Sequence, residues 1–105
     1  MNNAFYRFLG LAARGGNLAV GEGRASDCIK SGGAYLIIVS EDASENTKKK
    51  FKNSCSFYSV PFTAAGDRYS LGRAIGREFA VVIAVKNEGL AKKLGELCDS
   101  SQGTL

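Results

Sequence analysis

The residues best placed to do chemistry are Gly21-Glu22-Gly23-Arg24-Ala25-Ser26, a glycine-rich segment between a short apolar run and a helical stripe. A helix start presents unpaired backbone N–H groups and a partial positive charge, so it suits an anion. Glycines there let a second backbone come close. The chemistry is therefore phosphate recognition, of a dinucleotide or of a nucleic-acid backbone. For the dinucleotide, the spacing follows G-x-G-x-x-G with Ser26 in place of the last glycine, and Glu41-Asp42 lie roughly 20 positions on. Against it, the preceding strand has three residues and the chain is short for a two-half nucleotide fold. For the nucleic acid, Gly21, Glu22, Gly23 and Arg24 meet the backbone, and Lys30 stands two turns along. A third reading is a plain tight turn from strand to helix.

Few other residues can carry a reaction. The chain has no histidine, which removes the commonest general base and every Ser-His or Cys-His nucleophile pair. Cys28, Cys55 and Cys98 have no C-x-x-C spacing, and each reads as a small apolar core residue rather than a disulfide or zinc ligand. Glu41-Asp42 follows an apolar run, where α/β enzymes often set carboxylates; without a second acidic cluster it reads as loop polarity and helix capping. Lys48-Lys49-Lys50 with Lys52 looks like a basic patch, but consecutive residues fan around a helix. Glu45 can pair with Lys49 at i+4, so the run reads first as a solvated face. Arg68, Arg73 and Arg77 add charge around a later helix, where Tyr69 reads as packing rather than base stacking. No cofactor, metal or catalytic activity is expected.

Fourteen Lys and Arg against ten Asp and Glu leave a net charge of +4, which favours polyanionic partners without naming one. With 105 residues, 45% of them hydrophobic, the chain suits one folded domain. No apolar run approaches the ~18 residues of a membrane helix. The start, Met1-Asn2-Asn3-Ala4, lacks the regions of a signal peptide. A monomer in the cytoplasm is expected.

Elements must hold these residues in place. Phe5, Phe8, Leu9 and Ala12 mark one helical face, ended by Gly15-Gly16. Leu18 to Val20 is a strand; Ala25, Cys28 and Ile29 stripe a second helix that ends at Gly32-Gly33. Tyr35 to Val39 reads as a strand buried on both faces. Ser44 caps a third helix with Phe51, Cys55 and Tyr58 inward. Val60 to Ala64 is a third strand, and Asp67 caps a fourth helix bearing Leu71, Ala74 and Ile75. Phe79 to Val85 is the strongest strand; Asn87 opens a last helix with Leu90, Leu94 and Leu97 inward. Such alternation builds an α/β fold, a three-layer α-β-α sandwich around a central sheet. A single domain over residues 1–98 is expected, with a tail over 99–105 that frays.

Five segments in order resemble a known family. They are Gly10-Leu11-Ala12-x-x-Gly15, Gly21 ahead of a helix, Val39-Ser40-Glu41-Asp42-Ala43-Ser44, Val60-Pro61-Phe62 and Leu71-Gly72-x-Ala74-Ile75-Gly76. Together they resemble the kink-turn-binding ribosomal proteins of the L-seven-Ae and L-thirty-e type, in a short bacterial, YlxQ-like branch. The resemblance spans Phe5 to Leu97 and implies a four-stranded mixed sheet. It also implies binding to a sharply bent RNA with tandem sheared G·A pairs. The first turns of the second helix, Gly21 to Asp27 with Lys30, would read guanine edges. The loop of Ala64, Ala65, Gly66, Asp67 and Arg68 would cover an extruded base. Where strong kink-turn binders carry Gly-(Ala or Thr)-Asn-Glu-x-x-Lys, this chain has Gly23, Arg24 and Asp27 at the Asn, Glu and Lys positions. Asp27 would repel phosphate, while Arg24 could donate to guanine.

Two functions follow from these readings. One is a non-catalytic protein binding structured RNA, such as ribosomal RNA, through the second helix start and the loop before the fourth helix. The other is a protein-interaction module on the same scaffold that has lost RNA affinity. A basic stripe joining Arg24, Lys30 and Arg68 would favour the first, an exposed apolar patch the second.

Overall fold

The computed structural model describes residues 3–102, with side chains through residue 98. Nine elements alternate as expected: α1 (Asn3–Arg14), β1 (Leu18–Val20), α2 (Glu22–Lys30), β2 (Leu36–Val39), α3 (Glu45–Tyr58), β3 (Phe62–Ala64), α4 (Arg68–Ala74), β4 (Val82–Val85) and α5 (Glu88–Gln102). The strands form one sheet in the order β1-β4-β2-β3. β4 is antiparallel to both neighbours and β2 is parallel to β3, so the sheet is mixed.

Helices cover both faces of this sheet, and the period of two along each strand divides the core accordingly. Leu36, Ile38, Ile83 and Val85 face α1, α4 and α5, where Phe5, Leu9, Leu71 and Leu94 are buried. Ile37, Val39, Val82 and Ala84 face α2 and α3, where Ile29, Phe51 and Cys55 are buried. Burying each large side chain contributes about 1.5–3 kcal/mol. β2 and β4 are buried at every position because both of their faces are covered.

The caps form where the residue types required them. Ser44 Oγ accepts from Thr47 N at 3.1 Å, Asp67 Oδ1 from Tyr69 N and Ser70 N at 2.9 Å, and Asn87 Oδ1 from Leu90 N at 2.9 Å. All three cysteines are buried, and burial pushes the Cys55 thiol up to about 11. Among the described residues, no helix is long and apolar enough to cross a membrane, and no His, Cys, Asp or Glu cluster is arranged to hold a metal.

Three expectations need correcting. Tyr58 is not an inner residue of α3: it is 41% exposed beside the 80% exposed Phe57, because the helix overruns the sheet at its last turn. Tyr35, 40% exposed, and Val60-Pro61 lie outside the strands, which pair only over their last three or four residues. Phe79 to Val81 likewise precede β4, since β1 and β2 offer partners only from Val82 onward. Helix α5 continues to Gln102, and residues 103–105 of the expected tail lie outside the described residues.

Candidate nucleic-acid interface

The strand directions gather the candidate residues at one end of the sheet. β1, β2 and β3 run the same way and β4 runs against them. The C-terminal ends at Val20, Val39 and Ala64 therefore meet the start of β4. Backbone bonds knit this end together: Gly21 N donates to Val82 O at 2.8 Å, Ser40 N to Val81 O at 2.8 Å, and Glu41 N to Gly66 O at 2.7 Å. Helices α2, α3 and α4 all begin here, so three positive dipole ends point the same way.

The start of α2 is the most open of the three. Gly21 has φ 108° and ψ 156°, a region that essentially only glycine occupies. Its carbonyl accepts from Ala25 N at 2.9 Å, the first bond of the helix, and no side chain caps the N–H groups that precede it. Glu22, Gly23 and Arg24 are exposed, as are Asp27 and Lys30 further along. The Glu22 carboxylate is held by α3: Lys50 Nζ lies 3.7 Å away, and Thr47 Oγ1 donates to it at 3.4 Å. A Cβ built on Gly23 would meet nothing within 4 Å. Internal packing therefore gives no reason for glycine at this helical position.

The Ala64–Arg68 loop occupies the same end, but on the far strand. It stands three strand spacings from β1, about 14 Å. Ala64 is half-buried in β3 and Ala65 is fully buried, its N–H donating to Val39 O at 3.0 Å. Ala65 is thus withdrawn into the core. Gly66 has φ +67°, and a Cβ there would lie 2.7 Å from the Tyr6 hydroxyl, so a larger residue would strain the backbone and push the Tyr6 ring aside. Arg68 is clamped by Asp42: Nε donates to the carboxylate at 3.3 Å and Nη2 to the Asp42 carbonyl at 2.8 Å. Arg68 is thus engaged by Asp42, and it follows β3 while Arg24 and Lys30 follow β1, at opposite edges of the sheet. Asp42 does cap a helix, as Oδ1 accepts from Arg68 N at 3.2 Å, but the helix is α4.

What adjoins the α2 start is the turn between α4 and β4. A groove of about 430 Å³ lies between Val20, Gly21 and Glu22 on one side and Arg77, Glu78 and Phe79 on the other. Phe79 is 56% exposed along it. This wall was hidden in the sequence, because Phe79-Ala80-Val81 reads as the beginning of a strand. The available signal was Gly76-Arg77-Glu78, a helix-ending glycine followed by two charges. Arg68 supports the turn from behind, its carbonyl accepting from Ala80 N at 2.9 Å.

A larger concavity, about 790 Å³, lies at the opposite end of the sheet, between Tyr35, Tyr58, Pro61 and the exposed side of α5. The helix start there, that of α5, is capped by Asn87. Of the three helix starts at the first end, those of α3 and α4 are capped by Ser44 and Asp67, and that of α2 has no side-chain cap.

Comparison with known proteins identifies the family and the fold. Residues 3–101 match the model of the ribosomal protein L7Ae/L30e/S12e/Gadd45 family. The RNA-binding protein YlxQ of Bacillus subtilis (strain 168) is 41% identical over 95 residues, covering 90% of this chain and 95% of that protein. The RNA-binding protein YlxQ of Enterococcus faecium is 40% identical over 91 residues, 87% of each chain. A Bacillus halodurans protein of unknown function superposes with a TM-score of 0.91 at 41% identity, over 93% of this chain and 99% of that one. The Giardia lamblia 15.5kD RNA binding protein shares the fold, with a TM-score of 0.78 at 20% identity over 100% and 93% of the two chains.

Proposed function

The chain belongs to the ribosomal protein L7Ae/L30e/S12e/Gadd45 family, and from that membership we propose a non-catalytic protein that binds structured RNA at the start of α2. The observation that carries this reading is the uncapped α2 start beside the Arg77–Phe79 groove. The N–H groups of Glu22, Gly23 and Arg24 receive a phosphate. Arg24 donates to guanine O6 and N7, Arg77 neutralises phosphate, and the Phe79 ring stacks on an unpaired base. The loop before α4, with Ala64, Ala65, Gly66 and Arg68, lies at the same end and covers an extruded base of the same RNA. The protein works as a cytoplasmic monomer, with ribosomal RNA the first candidate partner. An interaction module for proteins is the second reading, favoured by Phe57 and Tyr58 exposed at the opposite end.

Within RNA, a kink-turn is the specific target to test. Gly23 lacks a side-chain amide for base contact, and exposed Asp27 repels phosphate, so wild-type recognition of G·A pairs is expected to be modest. Replacing Gly23→Asn, Arg24→Glu and Asp27→Lys together should raise kink-turn affinity by about tenfold or more, since each base contact contributes about 1–3 kcal/mol. Wild-type and triple-substituted proteins are compared on a kink-turn RNA and on the same RNA with its G·A pairs replaced. Equal affinity in all four combinations would remove the α2 start as the reading surface. A tight, G·A-dependent wild type would mean that Arg24 and the backbone suffice.

A further inference from the structure

Lys48, Lys49, Lys50 and Lys52 stand toward the N-terminal half of α3, and helix stability does not account for them there. Cations stabilise the last turn of a helix, yet α3 has no basic residue in its last turn. Glu45, the one carboxylate of α3, pairs with Lys48 at i+3 rather than with Lys49 at i+4, and no acidic residue follows it, so the lysines repel one another. Two are neutralised, Lys48 by Glu45 at 3.6 Å and Lys50 by Glu22 of α2 at 3.7 Å. Lys49 and Lys52 are exposed, three residues apart on one face, and among the described residues neither has an ion pair. Nor do Arg24 and Lys30 on α2. Together α2 and α3 carry six basic residues against three acidic ones, so +3 of the chain's net +4 falls on this layer. Both helices start at the end of the sheet that holds the groove, and they pack side by side with axes about 8–10 Å apart.

We propose that the outward face of α3, through Lys49 and Lys52, tracks the phosphates of a double-helical RNA stem leading away from the α2 start. The proposal rests on the RNA reading above and adds a second contact surface to it. Charge selects this occupant. Lysine is a flexible point charge suited to phosphate, and an A-form stem is gripped through its backbone rather than its base edges. Lys50 has a different part, drawing the Glu22 carboxylate onto α3 and so lowering the repulsion that an RNA crossing from α2 to α3 would meet.

The test uses two RNAs that share one G·A-containing bend and differ only in the stem beyond it, one short and one extended by about a helical turn. Wild type should bind the extended RNA about tenfold tighter. Lys49→Ala with Lys52→Ala should bind both RNAs as wild type binds the short one, and its salt slope on the extended RNA should fall by about two. Lys49→Arg with Lys52→Arg should keep the gain, as should Arg24→Ala while weakening on both RNAs. An alanine double variant that keeps the gain, or a wild type that shows none, would overturn the stem-tracking role alone. A wild type that binds neither RNA would overturn the reading of the α2 start as well.

Discussion

Gly21 and Gly23 sit two residues apart and are glycine for different reasons. Gly21 has φ +108°, so Gly21→Ala should destabilise the fold by about 1–3 kcal/mol. Gly23 is helical, and a Cβ there meets open space. Gly23→Ala should therefore stabilise by about 0.5–1 kcal/mol without weakening RNA binding, because the position has room for a side chain and a methyl adds no base contact. Urea unfolding and RNA titration of the two variants check this; affinity lost in Gly23→Ala would mean that the RNA comes too close to Gly23 for any side chain, Asn included. At this scale the sequence was legible wherever the physics is local. The caps Ser44 and Asp67 follow from residue type three positions ahead of the donor. The pairs Lys50–Glu22 and Arg68–Asp42 join residues 28 and 26 positions apart, so no local rule could show that Lys50 is spoken for or that Arg68 is clamped.

Among the elements, α4 depends most on its ends. It has seven residues, too few for a helix to hold by propensity. Asp67 serves its first turn, and hydrogen bonds from the Ser70 N–H, the Ser70 hydroxyl and the Tyr69 N–H hold its carboxyl below the usual range. A depressed carboxyl stabilises the folded state above its unfolded value of 3.8, and that contribution is lost as pH falls through the folded value. Asp67→Ala should lower Tm by about 5 °C near neutral pH, and the gap from wild type should shrink in acid below about pH 4. Thermal melts across that range check it; a gap independent of pH would mean that the cap acts without its charge. Element order and type were readable from apolar spacing and glycine stops, but strand ends were not. A strand stops where its neighbours stop, and Phe79-Ala80-Val81 carries the same pattern as the paired residues that follow it. That shared pattern concealed the turn that walls the candidate site.

At the scale of the whole molecule, one end of the sheet collects three helix starts, and one helical layer collects most of the excess charge. Topology produces the first feature, since three strands run in the same direction and each is followed by a helix. The second could be counted in the sequence, but it became a surface only once α2 and α3 were seen on the same face. RNA held by such a surface must release counterions, so affinity has to fall with salt. The most direct measurement is titration of the wild-type protein with a kink-turn RNA and with ribosomal RNA fragments from ~50 to ~200 mM monovalent salt. Binding at the low end that weakens linearly on logarithmic axes, by about tenfold or more across the range, is the predicted result. No binding at ~50 mM salt, or binding indifferent to salt, would contradict the account.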